Sequence, residues 1–264
     1  VAFTIDRYAE VGGRLDIADL DLHAEFTRRP LDPDTLRCLR YMHDIESHTV
    51  CYLRDVLVTK AHADPTLTTF LTIWNYEEHW HGAAIAEVLA AHGESAGAVR
   101  VAQVRRELPA KDRARPFAFM VASTLVPDIT AIHMTWGAVN EWTTQAGYAR
   151  LAAKAGHPVL TDLLRRIMKQ EGRHIDVYAG EARRRLEASA ASRRITRFAL
   201  RHLWSPVGTG VRPDREVGFV IRHLFGDADG AEAAARIDRH VDRLPGLAGL
   251  DLIKGARARY ASVD

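Results

Sequence analysis

Only two cysteines occur in 264 residues. Cys38 and Cys51 fit neither a thiolate zinc pattern nor a disulfide framework. No apolar run approaches a membrane span, and no secretory n-region and h-region open the chain. The expected compartment is the cytoplasm, and integral-membrane iron enzymes that modify lipids are excluded. The excess of one charge sign is small, at a formal +2, which argues against wholesale nucleic-acid binding. No glycine-rich phosphate loop is present. What remains is 47% hydrophobic and 27% charged, an ordinary soluble globular composition at the length of one large domain.

Against that background one stretch stands out, Trp74 to Leu89. Its apolar stripe runs Leu71, Trp74, Glu78, His81, Ile85, Val88 at helical steps. Glu78 and His81 are therefore neighbours on the face that should meet the core. An unpaired carboxylate there is costly to bury, and a metal ion removes the cost by supplying the missing positive charge. A second pair, Glu171 and His174, lies on the stripe Leu164, Ile167, Glu171, His174, Tyr178. Two Glu-x-x-His pairs with one Glu from each of two more helices is the ligand set of carboxylate-bridged dinuclear bundles.

The two further carboxylates can be located by taking the chain in order. Residues 1–33 read as an irregular arm broken by Gly12-Gly13, Pro30 and Pro33, with a short helix near Leu20–Phe26 and no legible function. Asp34 or Asp32 can cap a helix over 34–59. Its stripe of Leu39, Met42/His43, Glu46, Val50, Leu53 and Leu57 turns Glu46 inward, with Asp44 the weaker substitute and His48 pointing elsewhere. Asp64-Pro65 opens the second helix, which should stop at His92-Gly93. Within it Glu77 competes with Glu78, but symmetry with Glu171/His174 favours Glu78. Glu77 then becomes a hydrogen-bond partner for a ligand histidine. His79 lies off the stripe. Trp74 reads as core, with an electron path as the alternative. The segment 96–108 is amphipathic and basic, and Arg105, Arg106, Lys111 and Arg113 form either a solvated face or a docking patch for an acidic partner.

Residues 116–155 read as helix broken at Pro127. The stripe Thr130, Met134, Gly137, Glu141, Thr144, Tyr148, Leu151 places Glu141 inside, with Gly137 leaving room near the site. Gly156-His157-Pro158 is a short turn into a helix over 159–188. Each ligand-bearing pair should form an antiparallel hairpin, with a long crossover between them. Residues 189–264 should add helices at about 214–224 and 231–244, packed on the outside. The reading is all-α: a ferritin-like four-helix bundle over 34–188 with a dinuclear metal site, an N-terminal arm and additional C-terminal helices, in one domain overall.

The constellation is Glu46, Glu78, His81, Glu141, Glu171 and His174. Four carboxylates in one core repel one another and would take up protons. Two divalent ions cancel their charge. Oxygen and imidazole donors without thiolate suit iron, with manganese possible, rather than structural zinc.

With these motifs in place, the chain resembles the soluble acyl-carrier-protein desaturases, the plant stearoyl type and its shorter actinobacterial relatives. The family carries EENRHG in its second bundle helix, and this chain has EEHWHG at 77–82. The family carries DEKRH in the fourth, and this chain has QEGRH at 170–174. Glu141 is followed three places later by Thr144, as the family's third-helix glutamate is followed by a threonine near the oxygen site. The resemblance spans about 34–188, and DRLPGLAGL at 242–250 is similar to the family's C-terminal region. It implies two iron ions bridged by Glu78 and Glu171, one completed by Glu46 and His81, the other by Glu141 and His174. It implies oxygen-dependent desaturation of a carrier-bound fatty acyl chain in an apolar tunnel. The implied partners are an acidic acyl-carrier protein, a ferredoxin-type electron donor and a second copy of the chain in a homodimer. One departure is Gln170, where the family has an Asp beside a ligand histidine; a neutral amide holds the ring without raising its basicity. An oxygenase on another small substrate and a metal-storage or peroxide-detoxifying protein share the motif set. The residues beyond the bundle argue against the last.

Overall fold

The computed structural model describes residues 5–261, and its regular elements are helices, with one isolated bridge between Thr209 and Arg212. Two short helices, α1 (Ile5–Val11) and α2 (Leu22–Arg28), occupy the N-terminal arm. The second lies close to the expected short helix; the first was not expected. The helix expected over 34–59 is two helices, α3 (Pro33–Glu46) and α4 (Thr49–Leu57). Asp32 rather than Asp34 caps α3, accepting from Asp34 N and Thr35 N, with Pro33 in the first turn where its missing N–H costs nothing. The break follows Glu46 directly. Thr49 Oγ1 donates to Glu46 O at 2.7 Å, so a side chain takes a carbonyl that a continuing helix would have used.

Asp64 caps α5 (Pro65–Ala91), which ends before Gly93 in the left-handed conformation that glycine tolerates. Then come α6 (Gly97–Glu107), α7 (Ala110–Leu125) and α8 (Ile129–Ala155). Pro127 separates α7 from α8, and the Asp128 side chain caps α8 at Ala131 N. Left-handed Gly156 closes α8, and His157 caps α9 (Pro158–Ala188). The C-terminal part holds α10 (Ala190–Leu203), α11 (Asp214–Phe225), α12 (Ala228–Asp242) and α13 (Leu252–Tyr260). Helices α11 and α12 fall where periodicity places them; α10 and α13 are additional.

Four long elements are in mutual contact. Helix α3 packs on α5, α5 on α9, α9 on α8, and α8 on α3. Between them lies a core of Leu39, Ile85, Leu151, Leu164 and Ile167, all fully buried. Each such side chain contributes about 1.5–3 kcal/mol. Leu224, Ile237 and Leu247 from the C-terminal part join the same core. A second cluster, Phe70, Leu71, Trp74, Met134 and Tyr178, packs towards the other end. Among the described residues no helix is long and apolar enough to cross a membrane.

Candidate metal centre

Six buried side chains converge between these four helices. Glu46 is the last residue of α3, Glu78 and His81 lie within α5, Glu141 within α8, and Glu171 and His174 within α9. They form two groups whose donor atoms lie within 4.8 Å of one another: Glu46, Glu78, His81 and Glu171, and Glu78, Glu141, Glu171 and His174. Glu78 and Glu171 belong to both. These buried Glu/His groups could hold metal ions.

Hydrogen bonds on the outer side aim both imidazoles inward. His81 Nε2 lies 2.8 Å from Gln170 Oε1. An amide oxygen only accepts, so Nε2 carries a proton and Nδ1 is the nitrogen turned to the cluster. That Nδ1 lies 3.4 Å from Glu171 Oε1 and 4.0 Å from carboxylate oxygens of Glu46 and Glu78. His174 is arranged alike. Its Nε2 donates to Glu77 Oε2 at 2.8 Å. Its Nδ1 faces Glu171 at 3.0 Å, Glu78 at 3.1 Å and Glu141 at 3.8 Å. Glu77 also accepts from Tyr8 OH at 2.8 Å, from Gly13 N at 3.1 Å and from Arg173. Burial alone would raise the Glu77 carboxyl; the bonds and charge of His174, Tyr8 and Arg173 instead hold it at about 2. Trp74 Nε1 donates to Glu141 Oε1 at 2.9 Å, and Tyr148 OH donates to Glu46 Oε1.

The electrostatics describe a cluster suited to cations. Burial, reinforced by neighbouring carboxylates, pushes Glu78 and Glu141 well above the usual carboxylate range. Burial also opposes ionisation of Glu171, but the His174 and His81 imidazoles beside it keep it low. Both histidines are raised against their own burial, chiefly by Glu171 for His81 and by Glu141 and Glu171 for His174. Charge is thus balanced by protons shared among acids and bases, and divalent ions would replace them. Three buried atoms facing the cluster, Glu78 Oε1, Glu171 Oε1 and His81 Nδ1, have no hydrogen-bond partner. Buried polar atoms are normally paired, and a donor set of this kind fits metal coordination.

A cavity of about 740 Å³ opens onto Glu46, Glu78 and Glu141, and neither histidine lines it. Apolar residues from α7, α8 and α10 form most of its wall, together with the 205–211 loop. Thr144, one turn beyond Glu141, is on that wall. The space that Gly137 was expected to leave is filled by the Tyr178 ring, with which any Cβ at 137 would collide. Lys111 also borders the cavity, while Arg105, Arg106, Lys111 and Arg113 are exposed.

Some candidates stand apart from the cluster. Asp44 is paired with Arg100 at 2.6 Å and Arg212 at 3.2 Å, so its charge is already met. His43 accepts from Gly97 N at 3.2 Å. His48, expected to point elsewhere, is buried beside Asp112 at 3.9 Å. His79 is exposed. Tyr8, Gly13, Tyr148 and Arg173 were not anticipated as partners of the cluster. Tyr148 does share the stripe of Glu141, which is the one signal that could have marked it. No protein-family model matches the chain, and no curated protein matches it.

Proposed function

We propose that this chain is an oxygen-dependent di-iron oxidoreductase of the ferritin-like bundle class that desaturates a carrier-bound fatty acyl chain. The observation that carries the reading is the sharing of Glu78 and Glu171 between two donor groups beside an apolar cavity. Glu78 and Glu171 would bridge two ions, Glu46 and His81 would complete one, and Glu141 and His174 the other. Bound iron would supply dioxygen activation. Overall, dioxygen takes two hydrogens from adjacent chain carbons, two electrons from a ferredoxin-type donor and two protons from solvent, giving a double bond and two waters.

The chain's own residues would do the rest. The cavity, within the ligand-site range of about 300–1,000 Å³, would hold the acyl chain against the carboxylate side of the centre. Its apolar walls exclude bulk water, which protects a reactive centre from side reactions. Thr144 offers a hydroxyl beside Glu141 on that side. Glu77 and Gln170 keep the imidazoles turned away from the cavity. The exposed Arg105, Arg106, Lys111 and Arg113 supply positive charge for an acidic carrier, Lys111 at the cavity's border. The largely apolar cavity against Glu46, Glu78 and Glu141 supports catalysis over metal storage.

The test is to load the protein with iron, reduce it, admit oxygen and analyse carrier-bound acyl substrates by mass spectrometry. Loss of two mass units establishes desaturation. A gain of sixteen would select an oxygenase instead, and unchanged substrate with a loaded centre would refute the acyl assignment.

A further inference from the structure

The outer partners of the two histidines meet on one residue of the N-terminal arm. Gly13 N–H donates to Glu77 Oε1 at 3.1 Å, and Gly13 O accepts from Gln170 Nε2 at 3.1 Å. Glu77 holds His174, and Gln170 holds His81, each at 2.8 Å. A continuous series of hydrogen bonds therefore runs His174, Glu77, Gly13, Gln170, His81, joining α5 to α9 outside the metal-holding cluster. Gln170 suits this place in a way a carboxylate would not. Its oxygen accepts from His81 while its NH₂ donates to the Gly13 carbonyl, and an ionised acid has no proton for that carbonyl.

The arm is seated firmly enough to transmit position. Tyr8 OH donates to Glu77 at 2.8 Å, and the Arg14 guanidinium lies 4.1 Å over the Trp80 ring. Gly12 allows the close approach: a Cβ there would lie 2.5 Å from Ile73 Cγ2. Metal-binding imidazoles depend on the group bonded to their other nitrogen, and losing it lowers metal affinity by about 10- to 100-fold. Here both such groups are bonded to the backbone of one residue.

We propose that Gly13 is a positioning residue that couples the two imidazoles, so that both halves of the metal centre depend on an arm that supplies no metal-holding side chain. The affinity readout below rests on the metal-centre reading; the proton-exchange readout does not.

The experiment compares full-length wild type with Gly13→Pro, which deletes the N–H, and Gly13→Ala, which keeps both backbone groups and meets no atom within 4 Å of its new Cβ. Gln170→Met, which removes both amide bonds, keeps the test open should the proline variant fail to fold. Nitrogen-15 NMR of the metal-free protein follows solvent exchange of the two Nε2 protons, and cobalt(II) titration follows both binding steps by absorption. Wild type and Gly13→Ala should show two slowly exchanging imidazole protons. Gly13→Pro should speed exchange at both rings and weaken both cobalt steps by about 10- to 100-fold. Gln170→Met should speed exchange at His174 as well as at His81, although residue 170 hydrogen-bonds to His81 and not to His174. A folded Gly13→Pro with both rings unchanged would overturn the proposal, as would a Gln170→Met effect confined to His81 or a wild type without slow protons. Failure of wild type to bind cobalt would defeat the metal-centre reading while the exchange comparison still decides the coupling.

Discussion

Replacing Glu171 with Gln distinguishes a bridging carboxylate from a terminal one. Glu171 belongs to both donor groups, and Glu141 to one. A ligand that binds only the folded chain stabilises it by about 2.7 kcal/mol at a hundredfold excess over its dissociation constant. Two ions at that excess contribute about 5.4 kcal/mol. For a chain of this length, 1 kcal/mol moves the melting temperature by about 2 °C, so saturating metal should raise it by on the order of 10 °C. Glu171→Gln preserves shape but removes the charge that both ions need. Its metal-dependent rise should vanish. Glu141→Gln leaves the group of Glu46, Glu78, His81 and Glu171 complete and should keep about half the rise. The assay is thermal unfolding under anaerobic conditions with and without iron(II). A Glu171→Gln rise equal to wild type, or equal rises in the two variants, would refute the assignment of Glu171 as a bridge.

Three further outcomes follow from the same geometry. Burial, aided by Arg115, depresses His133 to about 4, so at pH 5 the unfolded chain binds a proton that the folded chain does not. Stability should fall as pH drops from about 6.5 towards 4, by about 2 kcal/mol between pH 7 and pH 5, and urea melts of His133→Phe should lack that share of the dependence. Gly137→Ala would drive a methyl into the Tyr178 ring, an overpacking cost of about 1–3 kcal/mol visible as a lower denaturation midpoint. Tyr148→Phe leaves Glu46 without its phenol donor; isothermal titration should show a weakened first or second metal step, but not both.

The Glu-x-x-His pairs were legible because each stands on an apolar stripe whose other members, such as Ile85 and Ile167, are fully buried. Period and burial agree, so a charged residue in register stands out. Helices α5 and α9 were legible for a second reason: Asp64-Pro65 and His157-Pro158 open them with side-chain caps. The break after Glu46 was not legible, since no glycine or proline marks it and Thr49 acts through a hydroxyl bond to a carbonyl. The arm was opaque for a similar cause. Gly13 works through its backbone N–H and C=O, and a backbone group leaves no trace in residue type. Tyr148 stood on the correct stripe, yet nothing in spacing separates a buried ring that fills space from one that bonds a carboxylate 102 positions away.

Metal stoichiometry tests the dinuclear centre most directly. Protein produced with iron and freed of loosely held ions should contain about two metal ions per chain, with Glu78→Ala and His174→Ala each folded but depleted. Wild type without stoichiometric metal, with both variants as stable as wild type, would contradict the dinuclear centre and everything built on it.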